Sequence, residues 1–597
     1  MHISYDFLTQ AGNTHKSVSD YRENFTCNIL YPLVKPSYGK LEDFINEVGR
    51  ISSAAATINV YPRGTPKYET AIVHRFPNGI SDVVPFVVEP DNEIALRGLI
   101  ELLEENKVKG RNIPFALKSG GHISVPKIYP HEQGILISME QFTYINYDKE
   151  KQTLDVGAGV TWQGVYDYLG QFDSDPAPGV VGGDPLVGVS GWLLGGGYSL
   201  LTNRFGLGID DIIGFRAVLL SKGIRNINRE ENPEVFMALK GGGHNFGIIS
   251  QFTLRVHEYA KRVVQTPPVI SKEFPVSESN VVKDIMIAFI QTENRPQAAV
   301  LLAAFRHDIK DGELKSIIPL YAWYTDSSLA QLPQVPESQD LTQFSSSQSR
   351  DPSSMSLAEA YEAISLRHLP VSLKTLQEDF VPAASEDIGR NVLNADLIEK
   401  KLITSRQNGS EIDWNSLTVF KVGGKTAVMK RPPDLRGRMA CIMVTTYTRT
   451  LMDEAEKQAK ELSSLMLANQ GTRVSFEIWP FHKKAFDGIK RGDSAWPHEE
   501  GNVFGPLVGW FEWSGRENDE YWLKNIANSL AALRKVALQE KCTTEDLPMY
   551  LNITLEDTPV KDIYREHYEA LKPLRRECDP NNVMGLAAGF VIDAREK

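Results

Sequence analysis

The sequence reads as an α/β or α+β protein built from more than one domain, and three observations lead to that reading. Apolar β-like runs alternate with amphipathic helical stretches over roughly the first 260 residues. Three glycine clusters fall inside that region, each beside a β-like run. From about residue 263 the character changes to longer β-like runs separated by long amphipathic helices. At 597 residues the chain exceeds what one hydrophobic core usually organises, so roughly two to four units are expected.

The elements follow in order. Val83–Val88 is strand-like, and Asp91 is placed to cap a helix whose Ala95, Leu99, Ile100 and Leu103 recur at helical spacing. A strand at Ile113–Leu117 runs into Lys118-Ser119-Gly120-Gly121-His122. Ile135–Ser138 and Thr153–Val156 read as strands, and Trp162–Phe172 as a short helix. Strands are expected at Ile212–Leu220 and Ile248–Leu254. Further on, β-like runs at Ala298–Phe305, Ile317–Trp323, Met439–Thr446, Val474–Ile478 and Leu507–Trp513 alternate with helices near 278–292, 451–468 and 517–539. Leu329–Ser354, rich in Gln, Ser and Pro, reads as a surface loop. A final helix near 561–577 stops before Asp579-Pro580.

Composition narrows the function classes. Lys and Arg number 64 against 76 Asp and Glu, so the net charge is −12 and nucleic acid is not expected as the main partner. No apolar run approaches the ~18 residues of a membrane span. The opening Met1–Gln10 lacks a basic segment followed by an apolar one, which favours an intracellular protein unless a leader has already been removed. Cys27, Cys441, Cys542 and Cys578 are too scattered for a zinc site or a disulfide scaffold, so no metal is expected. Sequons at Asn24, Asn408 and Asn552 decide nothing alone.

Glycine lets backbone amides approach a ligand without an intervening side chain and tolerates positive φ. Successive amides lining a concavity make an anion site suited to a pyrophosphate. Any one cluster could serve tight turns. Three within about 130 residues suggest one extended phosphate-bearing cofactor lying across several loops. None carries the Gly-Lys-Ser/Thr of a Walker loop, and no GxGxxG sits near the N-terminus between a strand and a helix, so neither familiar nucleotide fold fits.

The clusters are Lys118-Ser119-Gly120-Gly121-His122, Val187-Gly188-Val189-Ser190-Gly191 leading to Gly195-Gly196-Gly197-Tyr198, and Gly241-Gly242-Gly243-His244-Asn245-Phe246-Gly247-Ile248. Together with the closing Cys578-Asp579-Pro580-Asn581-Asn582-Val583, they resemble the FAD-linked oxidases of the berberine bridge enzyme group, within the vanillyl-alcohol oxidase/p-cresol methylhydroxylase superfamily. The resemblance is strongest over about 80–258, good at 545–590 and weak between. It implies an α+β fold with a two-part FAD-binding domain of the p-cresol methylhydroxylase type. That domain would take residues 1–262 and recover 546–597, with a substrate domain over 263–545 whose antiparallel sheet roofs the flavin.

The resemblance also implies site residues. FAD would be held by Lys118, Ser119, Gly120, Gly121, His122, Val187, Gly188, Gly191, Gly197, Tyr198, Asn245, Gly247, Ile248 and Asn581, with His122 covalently bonded to the flavin. Asp184 stands where many relatives have a second, cysteine attachment, so His122 alone is expected to make the bond. Lys118 replaces the usual Arg, keeping the charge and losing the guanidinium fork. Val187 stands at the position that gates oxygen in this group, where a small side chain is permissive.

The implied reaction removes a hydride from a C–H beside oxygen or nitrogen while a base takes the accompanying proton. A small organic molecule would be the substrate and oxygen the electron acceptor. A dehydrogenase using another acceptor and a redox-neutral cyclase are the alternatives. Tyr550 is one candidate base, although Tyr550-Leu551-Asn552-Ile553 lacks the second tyrosine of the group's motif. Glu477 is the other: alternation puts Ser475, Glu477 and Trp479 on one face, which could look toward the flavin or toward solvent. His482 and His498 nearby read as candidates or as surface residues.

Overall fold

The computed structural model describes residues 39–72, 84–124, 134–172, 177–258, 270–292, 299–324, 417–422, 425–430 and 435–595. The expected loop at 329–354, the sequons at Asn24 and Asn408, and Cys27 lie outside them. Among the described residues the strands form three larger sheets and one hairpin, β13 (Leu417–Val422) with β14 (Lys425–Lys430).

The first sheet has the order β1-β2-β4-β3, from β1 (Ile58–Pro62), β2 (Phe86–Pro90), β3 (Phe115–Lys118) and β4 (Ile135–Ser138). β2 and β3 run parallel to β4, while β1 is antiparallel to β2. Every residue of β2 and β4 is buried, which explains why both read as continuous apolar runs rather than alternating ones. Helices α1 (Gly39–Ile51) and α2 (Glu93–Val108) cover one face, with Phe44, Leu96, Leu99 and Leu103 packed on Val88, Phe115 and Ile137. The cap of α2 is Asn92, whose side chain accepts from the amides of Ile94 and Ala95. Asp91 instead accepts from the Thr57 amide at 2.9 Å and ties β1 to the helix entry, correcting the expected cap by one residue.

The second sheet, β5-β6-β9-β7-β8, is antiparallel throughout. It comprises β5 (Ile145–Asp148), β6 (Thr153–Gly157), β7 (Ile212–Leu219), β8 (Gly223–Asn228) and β9 (Ile248–Arg255). Helix α3 (Trp162–Leu169) packs on it through Trp162, Val165 and Leu169. All the long glycine-rich stretches are spliced into the connections of these two sheets.

The third sheet is also antiparallel, in the order β10-β12-β11-β16-β17-β15. Its members are β10 (Ile270–Pro275), β11 (Ala299–Lys310), β12 (Glu313–Tyr324), β15 (Leu435–Val444), β16 (Gly471–Ile478) and β17 (Gly505–Ser514). Helices α4 (Ser279–Thr292), α5 (Arg449–Met466) and α6 (Asp519–Gln539) bury one face, which carries Phe305, Leu320, Val474, Phe476, Ile478 and Phe511. The opposite face is different. There Cys441 and Met443, with Trp479 and Phe481 beyond the end of β16, join the core of the glycine-rich half.

The last residues return to the first two sheets. The Ala588 amide donates to the Phe115 carbonyl at 2.7 Å, and the Ile592 amide to the Asn245 side chain at 2.8 Å. The expected helix at 561–577 is two helices, Val560–Tyr564 and α7 (His567–Cys578). Arg565 between them has φ +46°, outside helical space. Beyond α7, Asp579 pairs with Arg575 at 2.6 Å and accepts from the amides of Val583 and Met584.

Candidate active site

The first two glycine clusters meet. A methyl group on Gly120 would lie 2.4 Å from the Gly188 nitrogen, and one on Gly188 would lie 2.4 Å from the Gly120 nitrogen. Backbone therefore touches backbone, which only glycine permits at both positions. Gly121 adopts φ +66°, a second requirement for glycine in the same loop. The Ser119 and Ser190 hydroxyls both donate to the Ala158 carbonyl, at 2.6 and 2.7 Å, and lock the loops to the end of β6. Gly191 is exposed, with nothing within 4 Å of where its side chain would be. His122 and Val187 flank the contact, each partly buried. Tightly joined amide-rich loops bordering open space are what a pyrophosphate-bearing cofactor needs, so these residues fit FAD.

The loop is also pinned to the third sheet. The Met439 amide of β15 donates to the Ser124 hydroxyl at 3.0 Å, and the buried Arg438 guanidinium reaches the Ser124 carbonyl and Glu556. His122 is thus held between a rigid glycine contact and the edge strand of the sheet above it.

Other residues expected at the cofactor have different surroundings. Lys118 is buried and its ammonium is 2.6 Å from Glu140, so its charge is already matched. Asn245 is fully buried; its amide donates to the Gly242 and Phe590 carbonyls, and its oxygen takes the Ile592 amide. It tethers the C-terminal segment to the third glycine cluster. Gly247 packs against Leu219, and Ile248 lies in the core shared by the first sheet. Asn581 is exposed and donates to Glu104 of α2 at 2.8 Å. The structure brings together Ser119–His122 with Val187–Gly191; it gives Lys118, Asn245 and Asn581 protein partners of their own.

Gly197 and Tyr198 meet Tyr550. The Gly197 amide donates to the Tyr550 hydroxyl at 3.3 Å, as does the Asn552 side chain at 3.2 Å, and the Tyr198 ring stands edge-on to Tyr550 at 5.1 Å. Burial pushes the Tyr550 phenol up, while these hydrogen bonds act in the opposite sense. Asn552, the third sequon, spends its amide on Tyr550 and the Trp192 carbonyl.

Glu477 lies on β16, directly opposite Ala304 of β11 and Val508 of β17. Its neighbours Val474, Phe476 and Ile478 point to the helix-covered core, so Ser475 and Glu477 take the other face. That face looks toward the glycine-rich half: Trp479 packs on Phe481, which lies 4.9 Å from the Tyr198 ring. Val508 in turn opposes Cys441, whose thiol approaches the Tyr550 backbone. Two strand steps, about 10 Å, therefore separate Glu477 from the strand position that meets Tyr550. Burial pushes the Glu477 carboxyl up to about 7, with Arg306 and Arg473 pulling it back. It has no hydrogen-bond partner among the described residues.

Sequence reasoning missed the residues around Glu477. Arg306 of β11 lies opposite Ser475, and Asp308 opposite Arg473. Asp308 accepts from Arg306 at 2.7 Å and from Arg473 at 2.9 Å; Arg473 also lies over Trp510, 5.0 Å from the ring centre. The alternation Arg306-x-Asp308 was visible, but its partner strand, about 170 residues away, was not. The two histidines also needed the structure. His498 is fully buried, 2.9 Å from Asp210 and 3.1 Å from the Trp496 carbonyl, so it clamps the 485–500 segment rather than lying on the surface. His482 is partly buried and its imidazole is held down to about 4, by burial first. No group of three or more His, Cys, Asp or Glu suited to a metal ion occurs among the described residues.

Comparison with known proteins gives this arrangement its class. Residues 84–227 match the family described as FAD binding domain, so this part of the chain is an FAD-binding domain. The whole described fold is that of the berberine bridge enzyme-like oxidases. It superposes on 6-hydroxy-D-nicotine oxidase of Arthrobacter nicotinovorans with a TM-score of 0.57 at 18% identity, covering 90% of this chain and 97% of that one. Berberine bridge enzyme-like 1 of Physcomitrella patens gives 0.57 at 17% identity, covering 90% and 98%. In sequence, the chain is 33% identical over 196 residues to the FAD-dependent monooxygenase yanF of Aspergillus niger, covering 32% of each. The chain thus matches about a third of the length of the curated relatives.

Proposed function

We propose that the protein is an FAD-dependent oxidoreductase that oxidises a small organic molecule at a carbon bearing a hydroxyl, with Glu477 as the base. FAD, when bound, supplies the two-electron acceptor. The Ser119–Gly121 and Val187–Gly191 backbone would hold its pyrophosphate, and His122 would anchor it covalently without a cysteine partner. The Glu477 carboxylate would take the hydroxyl proton as the carbon gives up its hydride, so the alcohol becomes a carbonyl with two electrons and two protons removed. Oxygen would then take those electrons and protons and leave as hydrogen peroxide. The face of β11, β16 and β17 would exclude water from this space. Residues 1–262 with 546–597 would form the cofactor domain, and 263–545 the substrate domain.

One observation supports Glu477 above all: a carboxyl without a hydrogen-bond partner among the described residues, with its ionisation brought near neutrality, on the sheet face turned to the glycine loops. Tyr550 is better suited to holding Gly197, since its hydroxyl is already turned to that amide. The names of the similar proteins, an oxidase and a monooxygenase, agree with a reaction on a small molecule. The test is anaerobic mixing of purified protein with candidate alcohols. Bleaching of the flavin absorbance that is lost in Glu477→Gln is expected. Equal bleaching in that variant would remove Glu477 from the mechanism.

A further inference from the structure

Around Glu477 the sheet face carries two arginines, Arg306 and Arg473, with Asp308 and Glu512. Arg473 is held by both Asp308, at 2.9 Å, and Glu512, at 3.6 Å. Among the described residues Arg306 hydrogen-bonds only to the second oxygen of Asp308, through its Nε at 2.7 Å. Its two terminal amino groups have no hydrogen-bond partner among the described residues. Arg306 and Glu477 are diagonal neighbours across β11 and β16, because Arg306 opposes Ser475 and Glu477 opposes Ala304. They are therefore about 7–8 Å apart, and their Cβ atoms somewhat closer. The same face presents partly buried aromatic and apolar side chains: Tyr321, Trp323, Trp479, Trp510 and Met439.

We propose, resting on the reading of Glu477 as the base, that the substrate is a neutral aromatic hydroxy-carbonyl compound. Its hydroxyl donates to Glu477, and its carbonyl accepts from the open edge of the Arg306 guanidinium. An aromatic frame fits the aromatic face, and a carbonyl supplies the acceptor that Arg306 lacks. A carboxylate is the obvious rival for an arginine, and electrostatics argue against it. A full negative charge some 7 Å from Glu477, at an effective dielectric constant of ~20, biases that group roughly 50-fold toward its protonated form. The base would then be disabled by its own substrate. A carbonyl satisfies Arg306 without that penalty.

The probes are meta-hydroxyacetophenone, meta-ethylphenol and meta-hydroxybenzoate, three similar rings bearing a ketone, no acceptor and a carboxylate. Calorimetric dissociation constants are measured on the purified protein, whose flavin content is read separately by absorbance. The ketone should bind on the order of 10-fold more tightly than the ethylphenol, the worth of one charge-assisted hydrogen bond. That ratio should fall to near one in Arg306→Gln. In Arg306→Lys, which keeps a cation beside Asp308 and loses the fork, it should shrink without loss of the folded state. Equal binding of ketone and ethylphenol, a ratio unchanged in both variants, tightest binding of the carboxylate, or no binding of any probe to flavin-loaded protein would each overturn the inference. Failure of the Glu477 reading would look different: the ketone preference and its dependence on Arg306 would persist, while Glu477→Gln would bleach the flavin as readily as wild type.

Discussion

Replacing Glu477 with glutamine tests the site through folding stability, independently of turnover. In the unfolded chain this carboxyl ionises near 4.5; in the folded protein burial raises it to about 7. The folded state therefore holds the proton more tightly, and between those two values it binds more protons than the unfolded state. Stability must then fall as pH rises from 4.5 to about 7, and stay at the lower level above. The ceiling is about 3 kcal/mol, from 1.36 kcal/mol for each tenfold change in ionisation. Glu477 is only partly buried, so solvent screening brings the real value below that ceiling. Glutamine removes the effect while nearly keeping the shape. At pH 8 the Glu477→Gln protein should melt above wild type by up to about 2 °C, and near pH 4.5 the two should coincide. Differential scanning calorimetry across that range is the assay. Parallel melting curves at all pH values would show that Glu477 is not held protonated by its surroundings, and the argument for it as a tuned base would fall.

Other outcomes follow from the same geometry. Gly120→Ala puts a methyl group 2.4 Å from the Gly188 nitrogen and should cost about 1–3 kcal/mol with loss of bound flavin. Gly49→Ala, with nothing within 4 Å, should leave flavin absorbance per protein unchanged. Acid precipitation should give a yellow pellet that His122→Ala turns colourless, and peptide mass spectra should contain no flavin–cysteine adduct. Truncation after residue 550 removes the Ile592 bond to Asn245 and the Ala588 bond to Phe115, so it should abolish flavin loading; a folded, loaded fragment would contradict this. Val187→Leu adds one methylene beside the Gly188 contact and should slow reoxidation of the reduced protein in stopped-flow; an unchanged rate would exclude a gate at Val187.

What the sequence determined by itself is local. Continuous apolar runs identified β2 and β4, because strands covered on both faces need no polar side. Glycine clusters marked the places where backbone must approach backbone or adopt positive φ, since no other residue does so without strain. The half-exposed strands β5 and β8, whose burial is mostly partial, gave too weak a pattern to be read. Alternation along β16 put Ser475 and Glu477 on one face, but not the direction in which that face points. Only the tertiary structure decided this, because the direction depends on which side of the sheet helices α4 to α6 cover, and that is a property of chain crossings rather than of any one segment. The same holds for Arg306, Asp308 and Arg473. The Arg473–Asp308 ion pair spans 165 residues of sequence, and a strand's hydrogen-bonded neighbour is fixed by sheet order and register, which leave no local trace.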